Sequence, residues 1–441
     1  MKRSAHEVAA LAWLAVGLAA PGRAAADDWP QWRGPGRDGV WREAGVLDKL
    51  PTGRIKLAWR APISSGYSGP TVADGRVYVT DRLARPRESE RVHCFDARTG
   101  RPLWSRAYAA PYRRVSYTAG PRASVSVDDG RAYALGTMGH FHCLDANDGR
   151  VLWRRNLAAD YQARVPVWGI AAAPLVDGER VIVQIGGADG ACVVALDKKT
   201  GKETWRALDD RASYSAPVII RQGETRVLVC WTGDSVAGLD PVTGRVHWRW
   251  GFKPSRMIIN VPTPVVQGER LFVTAFYDGS LMLRLLSAPP RVEKLWRRRG
   301  RSERDTDALH AMIATPIFQG DHVYGVDSYG QLRCLDARTG DRVWEDLTAT
   351  PKARWSNIHM VRNGERIWML NERGELILCT LSPKGFHEIG RAKLIDPTTE
   401  QLRQRGGVCW AHPAYARKHV FARNDRELIC ADLSAGGPNA R

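Results

Sequence analysis

Cys334-Leu335-Asp336-Ala337-Arg338-Thr339-Gly340-Asp341-Arg342-Val343-Trp344 is an apolar run, a polar turn and a second apolar run ending in Trp. Asp at the turn entrance can accept from the backbone two residues on, and Gly at its exit tolerates φ > 0. The stretch therefore predicts strand, tight turn, strand. A single hairpin would say little, but this one recurs. Copies read Cys94-Phe95-Asp96 to Trp104, Cys143-Leu144-Asp145 to Trp153, Ala195-Leu196-Asp197 to Trp205 and Gly238-Leu239-Asp240 to Trp248. A fifth is eroded to Leu283-Arg284-Leu285 with Pro289-Pro290 in its loop, yet it still ends at Trp296. The seventh, Cys379 to Gly385, has lost both Asp and Trp, and the eighth, Cys430-Ala431-Asp432-Leu433, ends before any Trp.

A second marker keeps the same count. Each unit opens on a small residue and an apolar strand: Gly69-Pro70, Ser124-Val125, Ala173-Pro174, Ala216-Pro217, Thr263-Pro264, Thr315-Pro316, His359-Met360 and His412-Pro413. Alternating stretches such as Arg76-Val77-Tyr78-Val79 fill the remainder. Four short strands repeated at roughly 40–50 residues predict an all-β, eight-bladed β-propeller with four-stranded antiparallel blades. The last unit lacks its outer strand, whereas an orphan strand, 56–60, ending near Trp59, precedes the first. Pairing the two closes the ring and removes an open edge that would otherwise template aggregation. The expected organisation is a secretory signal peptide at 1–26, an irregular Trp/Gly/Pro-rich lead at 27–55, the propeller at 56–433 and a tail at 434–441.

The turn motif resembles the tryptophan-docking repeat of pyrroloquinoline-quinone-like propellers. That superfamily holds the quinoprotein alcohol dehydrogenases and the eight-bladed outer-membrane assembly factor of the Bam complex. The resemblance implies that Trp59, Trp104, Trp153, Trp205, Trp248, Trp296 and Trp344 dock between neighbouring blades. The lead Trp29-Pro30-Gln31-Trp32-Arg33-Gly34-Pro35 also looks like that of exported proteins carrying this propeller. The dehydrogenases hold their quinone under an adjacent Cys-Cys disulfide with Ca²⁺ beside it. This chain has no Cys-Cys pair and no visible cluster of oxygen ligands for a hard cation. No cofactor is therefore expected, with pyrroloquinoline quinone (PQQ) and Ca²⁺ as the alternative.

Lys2-Arg3, the apolar run Val8 to Ala20 and Ala24-Ala25-Ala26 have the layout of a cleaved signal peptide, too short for a membrane span. The predicted cleavage site carries no lipid-anchor Cys, so a soluble periplasmic or extracellular protein is expected. Five of the eight Cys occupy one repeat position that other copies fill with Ala195 or Gly238, which reads as a small buried slot rather than a disulfide framework. Formal net charge is +18. It favours an acidic protein partner or another polyanion; spread along the chain, it also fits an ordinary solvated surface. Nucleic acid is not expected for an exported protein. Arg297, Arg298, Arg299 and Arg301 form the densest basic cluster, read as an exposed loop suited to electrostatic contact.

No G-x-S-x-G, H-E-x-x-H or P-loop pattern occurs. One departure from the repeat points to a site. The residue before the inner strand is small in six units but becomes His359 and His412 in the last two. These should be neighbours at the channel mouth, with Trp410, Trp355 and His310 nearby in sequence. Two readings stand: a small-ligand or metal site, or imidazoles that merely fill space beside the eroded seventh unit. The function expected is a non-enzymatic, monomeric interaction scaffold of the cell envelope, the alternatives being a quinone-dependent dehydrogenase and a polyanion-binding propeller.

Overall fold

A computed structural model describes residues 27–440; the predicted signal peptide lies outside them. Eight four-stranded antiparallel sheets follow one another around a ring. Seven are built from consecutive strands. The eighth takes its outer strand from the other end of the chain, Leu57–Pro62 lying against Glu427–Asp432 with Trp59 opposite Cys430. The N-terminal strand thus completes the last blade. Among the described residues no helix is long and apolar enough to cross a membrane.

The repeated turn explains both its own residues and the ring. In the sixth blade the Asp336 carboxylate accepts from the Arg338 N–H at 2.7 Å, and the Gly340 N–H reaches the Asp336 carbonyl at 2.8 Å. Gly340 has φ +80°. Its missing Cβ matters as much as its φ, because a Cβ there would lie 2.9 Å from the Trp296 ring of the preceding blade. Trp59, Trp104, Trp153 and Trp205 lie in the same way on Gly100, Gly149, Gly201 and Gly244. Their indole N–H groups donate to the carbonyls of Ala97, Ala146, Lys198 and Pro241. Trp296 donates to Ala337 and Trp344 to Ser382. Six of the eight joints are thus each fastened by one flat ring and one hydrogen bond.

Two irregularities have local remedies. Blade five lacks the turn, since its outer hairpin Gly279–Ser287/Pro290–Arg298 runs straight through it. Gln222 of blade four takes over: its amide donates to the Leu286 and Arg291 carbonyls, and its oxygen accepts the Trp248 N–H at 2.9 Å. Blade seven lacks its Trp, and there the lead segment packs. Trp41, Leu47, Leu50 and Ile55 are buried in one cluster with Trp368, Leu376, Leu394 and Tyr415. Trp41 meets Trp368 at 5.6 Å and Tyr415 at 5.1 Å between ring centroids.

Earlier, the same lead crosses one end of the central channel. Trp29 pairs with Val72 of blade one, Pro30 accepts from Val127 of blade two, and the Arg37 guanidinium donates to the Ala173 and Pro174 carbonyls before blade three. All eight cysteines are buried and unpaired. Burial raises the thiols, to about 12 for Cys94 and Cys143 and about 11 for Cys334, so they sit as small apolar groups.

Candidate functional site

Each inner strand begins at the channel, and the residue in front of it forms one member of an eight-residue collar. Trp32, carried in by the lead segment, fills the space inside. Its indole N–H donates to Thr263 Oγ1 at 2.8 Å, and its ring stands edge-on to His412 at 4.2 Å. Collar sizes are matched across blades: at Gly69 a Cβ would lie 2.3 Å from the His412 carbonyl oxygen and 2.5 Å from its imidazole. His412 is large because Gly69 is absent as a side chain.

Above Trp32 the channel widens into a recess that opens to solvent. Its walls come from the loops that lead from one blade's outer strand to the next blade's inner strand. Tyr67, Tyr117, Trp168, Tyr214 and Trp410 each descend from a different loop. They form a connected series, with centroid distances of 6.5 Å for Tyr67–Trp410, 6.4 Å for Trp410–Tyr117, 5.8 Å for Tyr117–Trp168 and 5.2 Å for Trp168–Tyr214. Trp355 joins Tyr117 at 6.1 Å. Tyr117 (φ 55°) and Trp355 (φ 68°) occupy the left-handed region, which costs a bulky residue of order 1–3 kcal/mol and persists only where surroundings impose it.

The two histidines do lie together, 6.1 Å apart between centroids. Both are turned to the protein. His359 Nε2 is 2.8 Å from the Trp410 carbonyl and 3.0 Å from the Asn357 amide; His412 Nε2 is 2.7 Å from Ser124 Oγ. The Ser124–His412 spacing is that of a nucleophile and its base. Ser124 is fully buried, however, and Pro413 offers a carbonyl at 3.2 Å from His412 Nδ1 where a carboxylate would orient a catalytic imidazole. Among the described residues no group of three or more His, Cys, Asp or Glu side chains is placed to hold a metal ion.

Burial pushes His359 down to about 4 and His412 to about 3. Both are neutral near pH 7, whereas an unfolded chain protonates its histidines near 6.5. Between these values the unfolded chain binds protons that the folded one refuses. The stability due to the neutral pair is therefore complete above about pH 6.5 and declines as pH falls toward 4, by up to about 1.4 kcal/mol per pH unit for each group. Thermal unfolding midpoints measured from pH 7.5 to 4.5 should fall, and a His359→Gln/His412→Asn variant should fall less steeply. Parallel curves would show that the pair does not titrate on unfolding.

His310 is not part of this site. Its Nε2 accepts from the Gly300 N–H at 3.1 Å, its Nδ1 meets the Phe276 carbonyl at 3.0 Å, and it is fully buried between blades five and six. The basic cluster also differs from an exposed loop. Arg297 and Arg298 belong to the outer strand Pro290–Arg298. Alternation along that strand turns Arg297 onto the Phe252 ring at 3.7 Å, where burial lowers its pKa to about 10. Arg298 pairs with Asp341 and Asp307, while Arg299 and Arg301 are exposed in the loop that follows, Arg301 paired with Asp305.

The recess does not fit PQQ with Ca²⁺. Its polar lining consists of Arg122, Ser124, two histidines and tyrosine hydroxyls, with no carboxylate; a hard cation requires several converging oxygen ligands, acidic ones among them.

The ring of eight four-stranded blades fastened by tryptophans defines a pyrroloquinoline-quinone-like propeller. The family profile described as outer membrane protein assembly factor BamB matches residues 88–303 and 233–440, and the chain belongs to that family. The structure is similar to BamB from Moraxella catarrhalis (18% identity, 86% of this chain and 99% of that one, TM-score 0.56). It is also similar to the quinohemoprotein alcohol dehydrogenase from Comamonas testosteroni (14% identity, 92% and 81%, TM-score 0.64) and to the computationally designed Ika8 protein (11% identity, 87% and 100%, TM-score 0.53). At such identities the likeness is one of fold. No curated protein matches the chain significantly.

Proposed function

We propose that this protein is an exported, non-enzymatic propeller that serves as a protein–protein interaction scaffold in the cell envelope. The observation that carries the reading is the contrast between the two ends of the channel. One is sealed by the lead segment; the other opens as an aromatic recess, and the chemically capable groups in and around it are already engaged. Ser124 faces His412, His359 faces the Trp410 carbonyl, Glu372 pairs with Arg405 and Glu303 with Arg354. Such a face suits binding rather than turnover. Membership of a family described as an assembly factor supports the same reading, and the net charge of +18 favours an acidic partner.

A photo-crosslinking residue placed at exposed Thr118 or Arg403, on the recessed face, should trap a discrete envelope protein in cells. The same residue at Asp129, on the sealed face, should not. Equal adducts from both faces, or none from either, would remove the assignment of the recessed face. Alcohol oxidation after reconstitution with PQQ and Ca²⁺ would instead establish a dehydrogenase.

A further inference from the structure

Charge is unevenly balanced over the loops of the recessed face. Around blades four to eight arginines there meet acids: Arg211 pairs with Asp234, Arg354 with Glu303 and Arg403 with Glu400. The sector of blades one and two departs from this. Residues 82–88, at the end of a blade-one hairpin, 111–122, leading into blade two, and 162–168, leading into blade three, hold seven arginines, one glutamate and no other charged side chain. That glutamate is engaged within the fold. The Glu88 carboxylate accepts from the Tyr112 N–H at 2.7 Å and from Arg82 at 3.0 Å, and its carbonyl accepts from the Ala110 N–H at 3.1 Å. Arg82 also donates to the Thr118 carbonyl at 2.7 Å, and the Ser116 N–H donates to the Val167 carbonyl at 2.7 Å. The three segments are thereby stitched together. Glu90, the next acid, is buried and capped by the Tyr108 and Tyr112 hydroxyls. Arg85, Arg87, Arg113, Arg114 and Arg164 remain exposed, and among the described residues none of their guanidiniums has an ion pair or a hydrogen bond. Exposed Val167 lies in the same sector.

We propose that this sector is a docking site for an acidic, extended segment of a partner protein, its carboxylates taken by these five arginines. The proposal rests on the scaffold reading, whose partner it describes. Like charges gathered on one surface repel one another, and a row of carboxylates removes that repulsion. The acids of the sector itself are enclosed, so the complementary charge comes from outside the chain. All five cations are arginine, whose planar fork offers a carboxylate two parallel donors. Val167 supplies an apolar contact beside them. An anionic bilayer calls for charge spread over a plane, whereas the unpaired arginines here fill one sector of a face whose other arginines meet their own acids.

The test is fluorescence anisotropy of the protein with two labelled octapeptides, one of alternating Glu and Ala and one with Gln in place of Glu. The acidic peptide should bind at least about tenfold more tightly than the neutral one, and less tightly as salt rises. Arg85→Gln/Arg87→Gln/Arg113→Gln/Arg114→Gln should weaken the acidic peptide at least about tenfold. Arg98→Gln/Arg101→Gln/Lys202→Gln/Arg245→Gln removes the same formal charge from exposed turns of the sealed face and should change it by no more than about twofold. Equal losses in the two variants would reduce the binding to net charge and overturn the proposal. So would equal binding of the two peptides, binding of neither, or sedimentation with phosphatidylglycerol vesicles that only the sector variant loses, which would assign the arginines to a lipid surface. In cells, the crosslinked adduct at Thr118 should disappear from the sector variant alone. An adduct that persists there undiminished would overturn this docking site and leave the scaffold reading in place.

Discussion

Replacing Trp296 by alanine is expected to lower the unfolding free energy by about 3–5 kcal/mol, read as a shift in urea midpoint. The ring is buried on Gly340 of the next blade, so its loss opens a cavity at a joint that the Gly backbone cannot refill. It also leaves the Ala337 carbonyl without its 3.0 Å donor. Trp296→Phe separates the two contributions, since it keeps an aromatic face and removes the N–H; about 1–3 kcal/mol is expected. If Trp296→Ala shifts stability by no more than an ordinary surface change, about 0.5 kcal/mol, the indoles do not fasten the blades.

Gly69→Ala should be nearly as costly, for a different reason. Gly69 is not among the glycines with positive φ, so the penalty is steric. The new methyl meets both the His412 carbonyl and the His412 ring, and overpacking of this kind costs about 1–3 kcal/mol or more when backbone must move. Adding His412→Ala should recover only the share due to the imidazole, because the carbonyl stays. A double-mutant cycle should therefore show a coupling of about 0.5–3 kcal/mol with incomplete rescue. Strict additivity would mean that the collar residues do not share one packed space.

The fold is legible in the sequence because its fastener is local. Asp, Gly and Trp are set within eleven residues by turn geometry, and each repetition restates the register. Where the turn is lost, the compensation is not legible: Gln222 lies in another blade, and nothing in its neighbourhood predicts two hydrogen bonds to blade five and a third from Trp248 of its own blade. The site divides in the same way. His359, His412 and Trp410 stand out as departures from a fixed position. Tyr67, Tyr117, Trp168 and Tyr214 do not, because the loops that carry them differ in length. Tyr214 lies two residues before its collar residue Ala216, whereas Tyr117 lies seven before Ser124. Only the ring brings them to one mouth. His310 shows the converse. Proximity in sequence to a blade opening suggested the mouth, but the Gly300 N–H and Phe276 carbonyl hold it inside.

The strand Leu57–Pro62, paired with Glu427–Asp432, has a consequence for timing. Leu57–Pro62 waits for Glu427–Asp432, and part of the lead segment waits with it, since Leu47 bonds Leu433. Until Glu427–Asp432 is made the ring stays open, and blades one and seven expose the faces that blade eight will cover. Such distant pairing is slow and leaves transient sticky edges. A product that stops before Glu427 therefore lacks the partner of Leu57–Pro62 and the Leu433 carbonyl that Leu47 bonds, and so presents itself to quality control as unfinished.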